Sequence, residues 1–151
     1  NKALENTKLT NGASTLVKTM RANGAYTVLV SGGFSFFTET IAKIAGFNED
    51  RSNKMIIEDS ALTGEIAEPI LDRDAKLETL KTISREKEIP LIDTMAIGDG
   101  ANDLPMIMKA GIGVAFHAKP IVEEKAPIAI RYGDLTALLY IQGYRLNEFC
   151  D

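Results

Sequence analysis

A short apolar run that leads directly into a cluster of carboxylate and amide side chains is the feature that most constrains this chain. Residues 95–97 predict the end of a buried parallel strand, and the segment Gly98–Asp103, with the sequence GDGAND, follows at once. The next residues, Leu104–Lys109, have the pattern of a helix. Asp99 is therefore expected at the carboxyl end of a strand, where open α/β sheets bind their ligands.

Two carboxylates at this spacing favour a metal ion. Asp99 and Asp103 repel each other unless a cation lies between them, and hard oxygen ligands suit Mg²⁺ better than softer metals. The segment therefore predicts a magnesium site in which Asp99 binds the ion and Asp103 binds it directly or through water. Asn102, between them, would donate a hydrogen bond to a phosphate or to a substrate.

Apolar runs alternate with helical patterns along the rest of the chain. Two short apolar runs within residues 53–68 predict a β-hairpin. Strands that alternate with helices predict an α/β fold in which a mostly parallel sheet is covered on both faces, and 151 residues correspond to one domain. The predicted parallel strands are Tyr26–Val30, Thr94–Ile97, Ile112–Phe116 and Ile128–Ile130.

The bulk composition argues against several classes of protein. A net charge of −4, without a dense stripe of Lys and Arg, argues against nucleic acid as a partner. No apolar run reaches membrane-spanning length, so we expect no membrane association. The single cysteine, Cys150, excludes an intrachain disulfide framework and favours the cytoplasm.

A second candidate site follows the first predicted strand. Ser31, Gly32 and Gly33 predict a turn where backbone N–H groups can approach an oxyanion, with the Ser31 hydroxyl as a further donor. The helix that follows directs the positive end of its dipole toward the same point. Lys76, in the first turn of the predicted helix Ala75–Glu88, would neutralise charge on a phosphate. We expect these groups and the acidic segment to serve one phosphate.

Five segments together resemble the motifs of a known family. Their order and spacing are similar to those of the haloacid dehalogenase superfamily, and within it most similar to the phosphoserine phosphatase family. The resemblance covers nearly the whole chain. The segments are LTNGA (Leu9–Ala13), VSGGF (Val30–Phe34), DAKLETL (Asp74–Leu80), GDGANDLPM (Gly98–Met106) and AFHAKP (Ala115–Pro120).

The resemblance implies a fold, a reaction and a role for each candidate residue. The fold would be the three-layer Rossmannoid sandwich of the superfamily. The reaction would be Mg²⁺-dependent hydrolysis of a small phosphomonoester, L-phosphoserine, to L-serine and phosphate through an aspartyl-phosphate, the last step of serine biosynthesis. The implied catalytic residues are Ser31 and Lys76, the phosphate-binding residues are Ser31, Gly32, Gly33, Lys76 and Asn102, and the Mg²⁺ ligands are Asp99 and Asp103.

One motif of the family is missing from the sequence. Family members begin with a DxDxT/V motif on the first core strand, whose first aspartate attacks phosphorus, and a helical cap follows it. Neither occurs here, which implies that the chain is the carboxyl-terminal part of such a protein and that the nucleophile lies outside it. Because the missing strand is central in the family's sheet, a missing N-terminal segment or a second chain would supply it.

Two alternative functions remain open from the sequence. The first is a phosphatase or phosphotransferase of the same superfamily that acts on another small phosphomonoester, since the cap that selects the substrate is absent. The second is a catalytically inactive fragment. A response-regulator receiver domain shares the topology and the Mg²⁺, but its acidic pair and its phosphoacceptor aspartate do not appear. The roles of His117 and Cys150 stay open.

Overall fold

The computed structural model describes residues 8–58, 61–68, 70 and 73–151. These residues fall into two compact units, one formed before residue 70 and after residue 132, the other by residues 70–132. The helices are α1 (Ala13–Ala22), α2 (Ser35–Ala45), α3 (Arg73–Glu86), α4 (Leu104–Lys109), α5 (Pro120–Glu123) and α6 (Ala137–Ile141). The strands are β1 (Val28–Phe34), β2 (Glu49–Asn53), β3 (Met55–Glu58), β4 (Ala61–Ile66), β5 (Met95–Gly98), β6 (Ile112–Phe116) and β7 (Ile128–Ile130).

In the first unit, β1 and β2 pair in parallel, and the pairing is interrupted at the predicted phosphate-binding residues. The register is regular over Val28–Val30 and shifts before Phe34, which lies opposite Asn53. The predicted end of this strand at Val30 is wrong, because the strand continues to Phe34. Residues 31–33 form its irregular part, and α2 begins directly after it.

Strand β2 was not predicted, because its residues, EDRSN, carry no apolar pattern. Its side chains bond to neighbouring elements instead. Asp50 Oδ2 accepts a hydrogen bond from Thr38 Oγ1 of α2 at 2.6 Å, and Glu49 Oε2 accepts one from the Tyr26 hydroxyl at 2.6 Å. Because Thr38 is only 4% exposed, partners of this kind are what make a polar strand stable at that position.

Strands β3 and β4 pair in antiparallel fashion, which confirms the predicted hairpin. Met55 lies opposite Ile66, so the hairpin begins at Met55. The predicted boundary at residue 53 differs because Asn53 belongs to β2.

In the second unit, β5, β6 and β7 form a parallel sheet in that order. Its core contains Ile107 of α4, Ala115 of β6 and Val122 of α5, each 0% exposed. A Cβ atom on Gly113 would lie 1.9 Å from the carbonyl oxygen of Ile107. Helix α4 therefore packs on β6 at a distance that only glycine permits.

The observed pairing confirms an α/β fold with parallel strands and one antiparallel hairpin. β6 and β7 have the predicted bounds. Among the residues that the structure describes, no helix combines the length and the apolar character that crossing a bilayer requires.

Glu88 follows α3 in a left-handed conformation, which gives a first testable prediction. Its φ is 55° and its side chain is exposed, while Ile89 N donates to Ser84 O at 2.9 Å across the end of the helix. This region costs a non-glycine residue about 1 kcal/mol or more, partly offset by the entropy that glycine gains in the unfolded chain. Glu88→Gly is therefore expected to stabilise the protein by about 0.5–1 kcal/mol, measured by thermal unfolding.

The matched control is Glu88→Ala, which removes the same carboxylate but keeps the strained φ. It should not raise the unfolding midpoint. An equal rise for alanine and glycine would show that the charge, and not the backbone conformation, sets the stability at this position.

Candidate active site

The carboxylate of Asp103, at the N-cap of α4, connects that helix to α3 and to the loop that follows β5. Its Oδ2 accepts hydrogen bonds from the backbone N–H groups of Asp99 and Gly100, each at 3.0 Å. Its Oδ1 accepts one from Lys76 Nζ at 2.5 Å. Asp103 is 5% exposed, so these three donors satisfy a charge that would otherwise be buried at high cost.

Gly98 of the GDGAND segment makes this arrangement possible. A Cβ atom there would lie 2.6 Å from Oδ2 of Asp103, whereas the atom nearest to a Cβ on Gly100 is the end of the exposed Asn102 side chain, which can move. Asp103 stands at the N-cap position of α4 but makes no side-chain capping bond to that helix. Its carboxylate bonds instead to the loop that precedes it, so simple helix capping does not account for the residue.

Asp99 differs from Asp103 in having an available carboxylate. Its side chain is exposed, and within the described residues it makes no hydrogen bond or ion pair. Only its backbone is held, because its N–H donates to Asp103 and its carbonyl oxygen accepts from Lys119 N at 3.1 Å. Asn102, one residue before Asp103, is also exposed and lies in the turn that precedes α4.

The two carboxylates, Asp99 and Asp103, fit a Mg²⁺ site only in part. A free, hard oxygen ligand at Asp99 is suited to the ion, whereas both oxygens of Asp103 already accept hydrogen bonds inside the chain. Over the ranges that the structure covers, no group of three or more His, Cys, Asp and Glu side chains is arranged to hold a metal. Direct ligation by Asp103 stays a prediction.

The residues Ser31, Gly32 and Gly33 belong to the first unit. Ser31 Oγ accepts a hydrogen bond from Gly33 N at 3.0 Å, which leaves the hydrogen of the hydroxyl free to be donated. The carbonyl oxygen of Gly32 accepts a bond from Asn53 Nδ2 at 2.9 Å. Both glycines are exposed, so a small anion has access to this stretch of backbone.

Comparison with known proteins identifies the family. A family model described as haloacid dehalogenase-like hydrolase matches residues 2–108. The chain belongs to the haloacid dehalogenase-like hydrolases. The expected haloacid dehalogenase-like fold is thereby confirmed.

Phosphoserine phosphatases are among the relatives of this family member. One from Streptomyces coelicolor is 40% identical over 141 residues, which cover 93% of this chain and 34% of the relative. One from Methanocaldococcus jannaschii is 40% identical over 138 residues, 91% of this chain and 65% of the relative. The chain thus spans between about a third and two thirds of the length of these curated relatives.

A solved structure has a similar fold. It is described as a phospho-aspartyl intermediate analogue of phosphoserine phosphatase, with a TM-score of 0.85 and 39% identity, covering 93% of this chain and 67% of that chain. The resemblance to the phosphoserine phosphatase family that the motifs predicted is therefore confirmed.

The structure brings some of the predicted site residues of this hydrolase together. Lys76, Asp99 and Asp103 are linked by the hydrogen bonds described above. Sequence reasoning missed Asn53, because nothing in a polar strand indicated which side chain would reach the backbone of Gly32.

His117 lies at the carboxyl end of β6 as a loop residue. It is exposed, has a φ of 44°, and its ring stacks on Phe116 with centroids 4.0 Å apart. Its N–H donates to the carbonyl oxygen of Ile130 at 2.9 Å. These contacts fix its position in the fold.

Proposed function

We propose that the protein containing this chain is a Mg²⁺-dependent phosphoserine phosphatase, which hydrolyses L-phosphoserine to L-serine and phosphate. The observation that carries the proposal is the set of bonds from the Asp103 carboxylate to Lys76 and to the loop that presents Asp99. It orders a lysine and a free carboxylate in a chain about 40% identical to phosphoserine phosphatases.

Each residue of the proposed phosphate-binding site has its own role. Lys76, fixed by its ion pair with Asp103, would offset negative charge that develops on the phosphoryl group. Ser31, through its free hydroxyl hydrogen, and the backbone N–H of Gly32 would donate to phosphoryl oxygens. Asn102, exposed beside the loop, would donate to the phosphate or to the substrate.

The nucleophile would be an aspartate outside this sequence that forms an aspartyl-phosphate, which divides one difficult step into two. The phospho-aspartyl analogue of a phosphoserine phosphatase, whose fold this chain shares, supports that route.

Asp99 would hold the Mg²⁺, which neutralises phosphoryl charge when it is bound. Asp103 would act on the ion indirectly, since its oxygens already accept three hydrogen bonds and hold the backbone of Asp99 in place. In this proposal Asp99 binds the Mg²⁺, and a different set of residues binds the phosphate: Ser31, Gly32, Lys76 and Asn102.

A further partner would be the first core strand. Among the described strands, β1 has β2 as its one sheet neighbour, and β5 lies at the edge of its own sheet. The apolar residues Val28, Leu29 and Val30 are only partly buried, as are Met95 and Ile97, whereas parallel strands are usually buried on both faces. A missing N-terminal segment or a second chain that adds a strand would complete this pairing.

Asp99→Asn in the gene product that carries this chain tests the proposal. We expect kcat/KM for L-phosphoserine to fall about 100-fold or more, because the amide removes the charge that binds the cation. The measurement is phosphate release at saturating Mg²⁺. The control is Asp93→Asn, an exposed aspartate at the other end of β5, which should retain full activity.

Two outcomes would overturn the assignment. Full activity of Asp99→Asn would remove Asp99 from the site. Hydrolysis of another small phosphomonoester in preference to L-phosphoserine, by the unmodified protein, would favour the alternative substrate class within the same family.

A further inference from the structure

We propose that Asn53 is a positioning residue for the phosphate-binding stretch Ser31–Gly33. This inference rests on the proposed function, because Asn53 would act through that stretch and would not touch the phosphate itself.

Asn53 takes the place of a backbone hydrogen bond where the strand pairing is irregular. It is the last residue of β2 and is 5% exposed. The β1–β2 register shifts between Val30 and Phe34, and in that interval Asn53 Nδ2 donates to the carbonyl oxygen of Gly32 at 2.9 Å. A side chain therefore fixes a carbonyl group inside the irregular part of the ladder.

This hydrogen bond also determines the direction of an N–H group. The carbonyl of Gly32 and the N–H of Gly33 belong to one planar peptide unit, in which they point in opposite directions. The peptide joins two glycines, whose backbone is otherwise the least restricted of any pair. By holding the carbonyl toward β2, Asn53 directs the Gly33 N–H to the other side.

The direction of the Gly33 N–H in turn fixes the orientation of the Ser31 hydroxyl. Gly33 N–H donates to Ser31 Oγ at 3.0 Å, so the oxygen acts as acceptor and the hydroxyl hydrogen remains for a phosphoryl oxygen. Without the Asn53 amide, rotation of the Gly32–Gly33 peptide would remove this bond and leave the hydroxyl free to turn. Asn53 would thus prepare the donor before the substrate arrives, which is where positioning contributes most to rate.

The other face of β2 provides a matched control. Ser52 points away from Asn53 because successive strand residues alternate, and its Oγ bonds to Thr38 Oγ1 at 2.8 Å and to Asp50 Oδ2 at 3.2 Å. Ser52→Ala therefore removes hydrogen bonds from the same strand without touching the phosphate-binding stretch.

The experiment compares Asn53→Leu, Asn53→Gln and Ser52→Ala in the gene product that carries this chain. Leucine keeps the branching of asparagine but removes the donor, and we expect kcat/KM for L-phosphoserine to fall about tenfold or more. Glutamine keeps an amide donor on a longer side chain and should recover part of the loss. Ser52→Ala should change kcat/KM less than about twofold, even where its unfolding midpoint falls as far as that of Asn53→Leu.

A second readout does not depend on activity. The amide resonance of Gly33 in ¹⁵N-labelled protein should shift and exchange its hydrogen faster in Asn53→Leu than in Ser52→Ala. If Asn53→Leu leaves both kcat/KM and the Gly33 amide unchanged, the positioning role is overturned. If the Gly33 amide responds but the unmodified protein hydrolyses no L-phosphoserine, the contact is upheld and the proposed function is the part that fails.

Discussion

The 151-residue chain by itself is expected to hydrolyse L-phosphoserine no faster than a buffer blank. Under the proposed mechanism an aspartate on the first core strand attacks phosphorus, and this sequence has no DxDxT/V motif. Ser31 and Lys76 bind and stabilise charge, and neither replaces a nucleophile. Removal of the nucleophile in a well-studied covalent enzyme costs on the order of 10⁶-fold in rate, so phosphate release with Mg²⁺ present should fall to the detection limit.

Activity should return when the upstream segment of the gene is added as a separate polypeptide. The same segment with the first aspartate of its motif changed to asparagine is the control, because it would restore the strand but not the nucleophile. Mg²⁺-dependent turnover by the chain alone, at a purity and mass verified by intact mass spectrometry, would contradict the assignment of roles.

The control segment also separates folding from catalysis. Each backbone group that is left without a partner in a buried strand costs about 1–3 kcal/mol, and β1 and β5 each show one sheet neighbour among the described strands. Both versions of the upstream segment should therefore raise the thermal midpoint of the chain equally. Only the version with the aspartate should restore turnover.

Local sequence predicted those parts of the fold in which apolar residues run without interruption. Ile112–Phe116 and Ile128–Ile130 are short apolar runs between turn residues, and the structure gives strands with those bounds. Their burial depends on their own side chains, so the pattern is sufficient. The hairpin was predicted for the same reason, through the β-branched residues of β3.

Polar strand segments could not be predicted in this way. β2 is a strand because Glu49, Asp50 and Asn53 find partners on Tyr26, Thr38 and Gly32, and these partners lie 12 to 23 residues away in the sequence. The end of β1 was misplaced for a related reason. Glycines indicate a turn in a local pattern, whereas here a neighbouring side chain holds them within a strand.

The candidate site was likewise predictable where it depends on local sequence, and not where it depends on residues far apart in the chain. The GDGAND spacing was enough to predict a strand end with carboxylates beside it, because the strand and the helix around it are both local patterns. Lys76 and the acidic segment were expected at one phosphate, but the direct ion pair of Lys76 with Asp103 was not predicted, since Lys76 lies 27 residues earlier on another helix. Asp103 was expected as a metal ligand, and the structure shows that its oxygens accept hydrogen bonds within the chain.

That bonding makes a large loss of stability the expected result of replacing Asp103. Asp103→Ala would leave the Lys76 ammonium, whose side chain is 12% exposed, without its carboxylate. It would also leave the N–H groups of Asp99 and Gly100 without their acceptor. Removal of one partner from a buried pair costs about 3–5 kcal/mol, which is a large part of the 5–15 kcal/mol stability typical of a domain. Denaturant unfolding of the gene product that carries this chain measures the loss.

Asp103→Asn should cost less than Asp103→Ala. Its amide oxygen still accepts from the loop N–H groups, while its amide nitrogen is a donor and cannot accept from Lys76, so the ion pair and that hydrogen bond are lost. The control is Glu78→Gln, which removes a carboxylate from another lysine pair on the same helix. Glu78 bonds to Lys81 at 2.7 Å with its side chain 59% exposed, and that bond lowers the pKa of Glu78. Because solvent screens this pair, its loss should leave unfolding unchanged within error.

The losses of stability in the three variants, ranked by size, show whether Asp103 orders the loop or only forms an ion pair with Lys76. If Asp103 served only to neutralise Lys76, asparagine and alanine would destabilise equally, because both remove the charge. Since two of its three bonds are to backbone N–H groups, the asparagine variant should retain part of the stability. It should also retain more of the activity, because the backbone at Asp99 stays in place. Equal losses for the two variants would overturn the proposal that Asp103 orders the loop that presents Asp99.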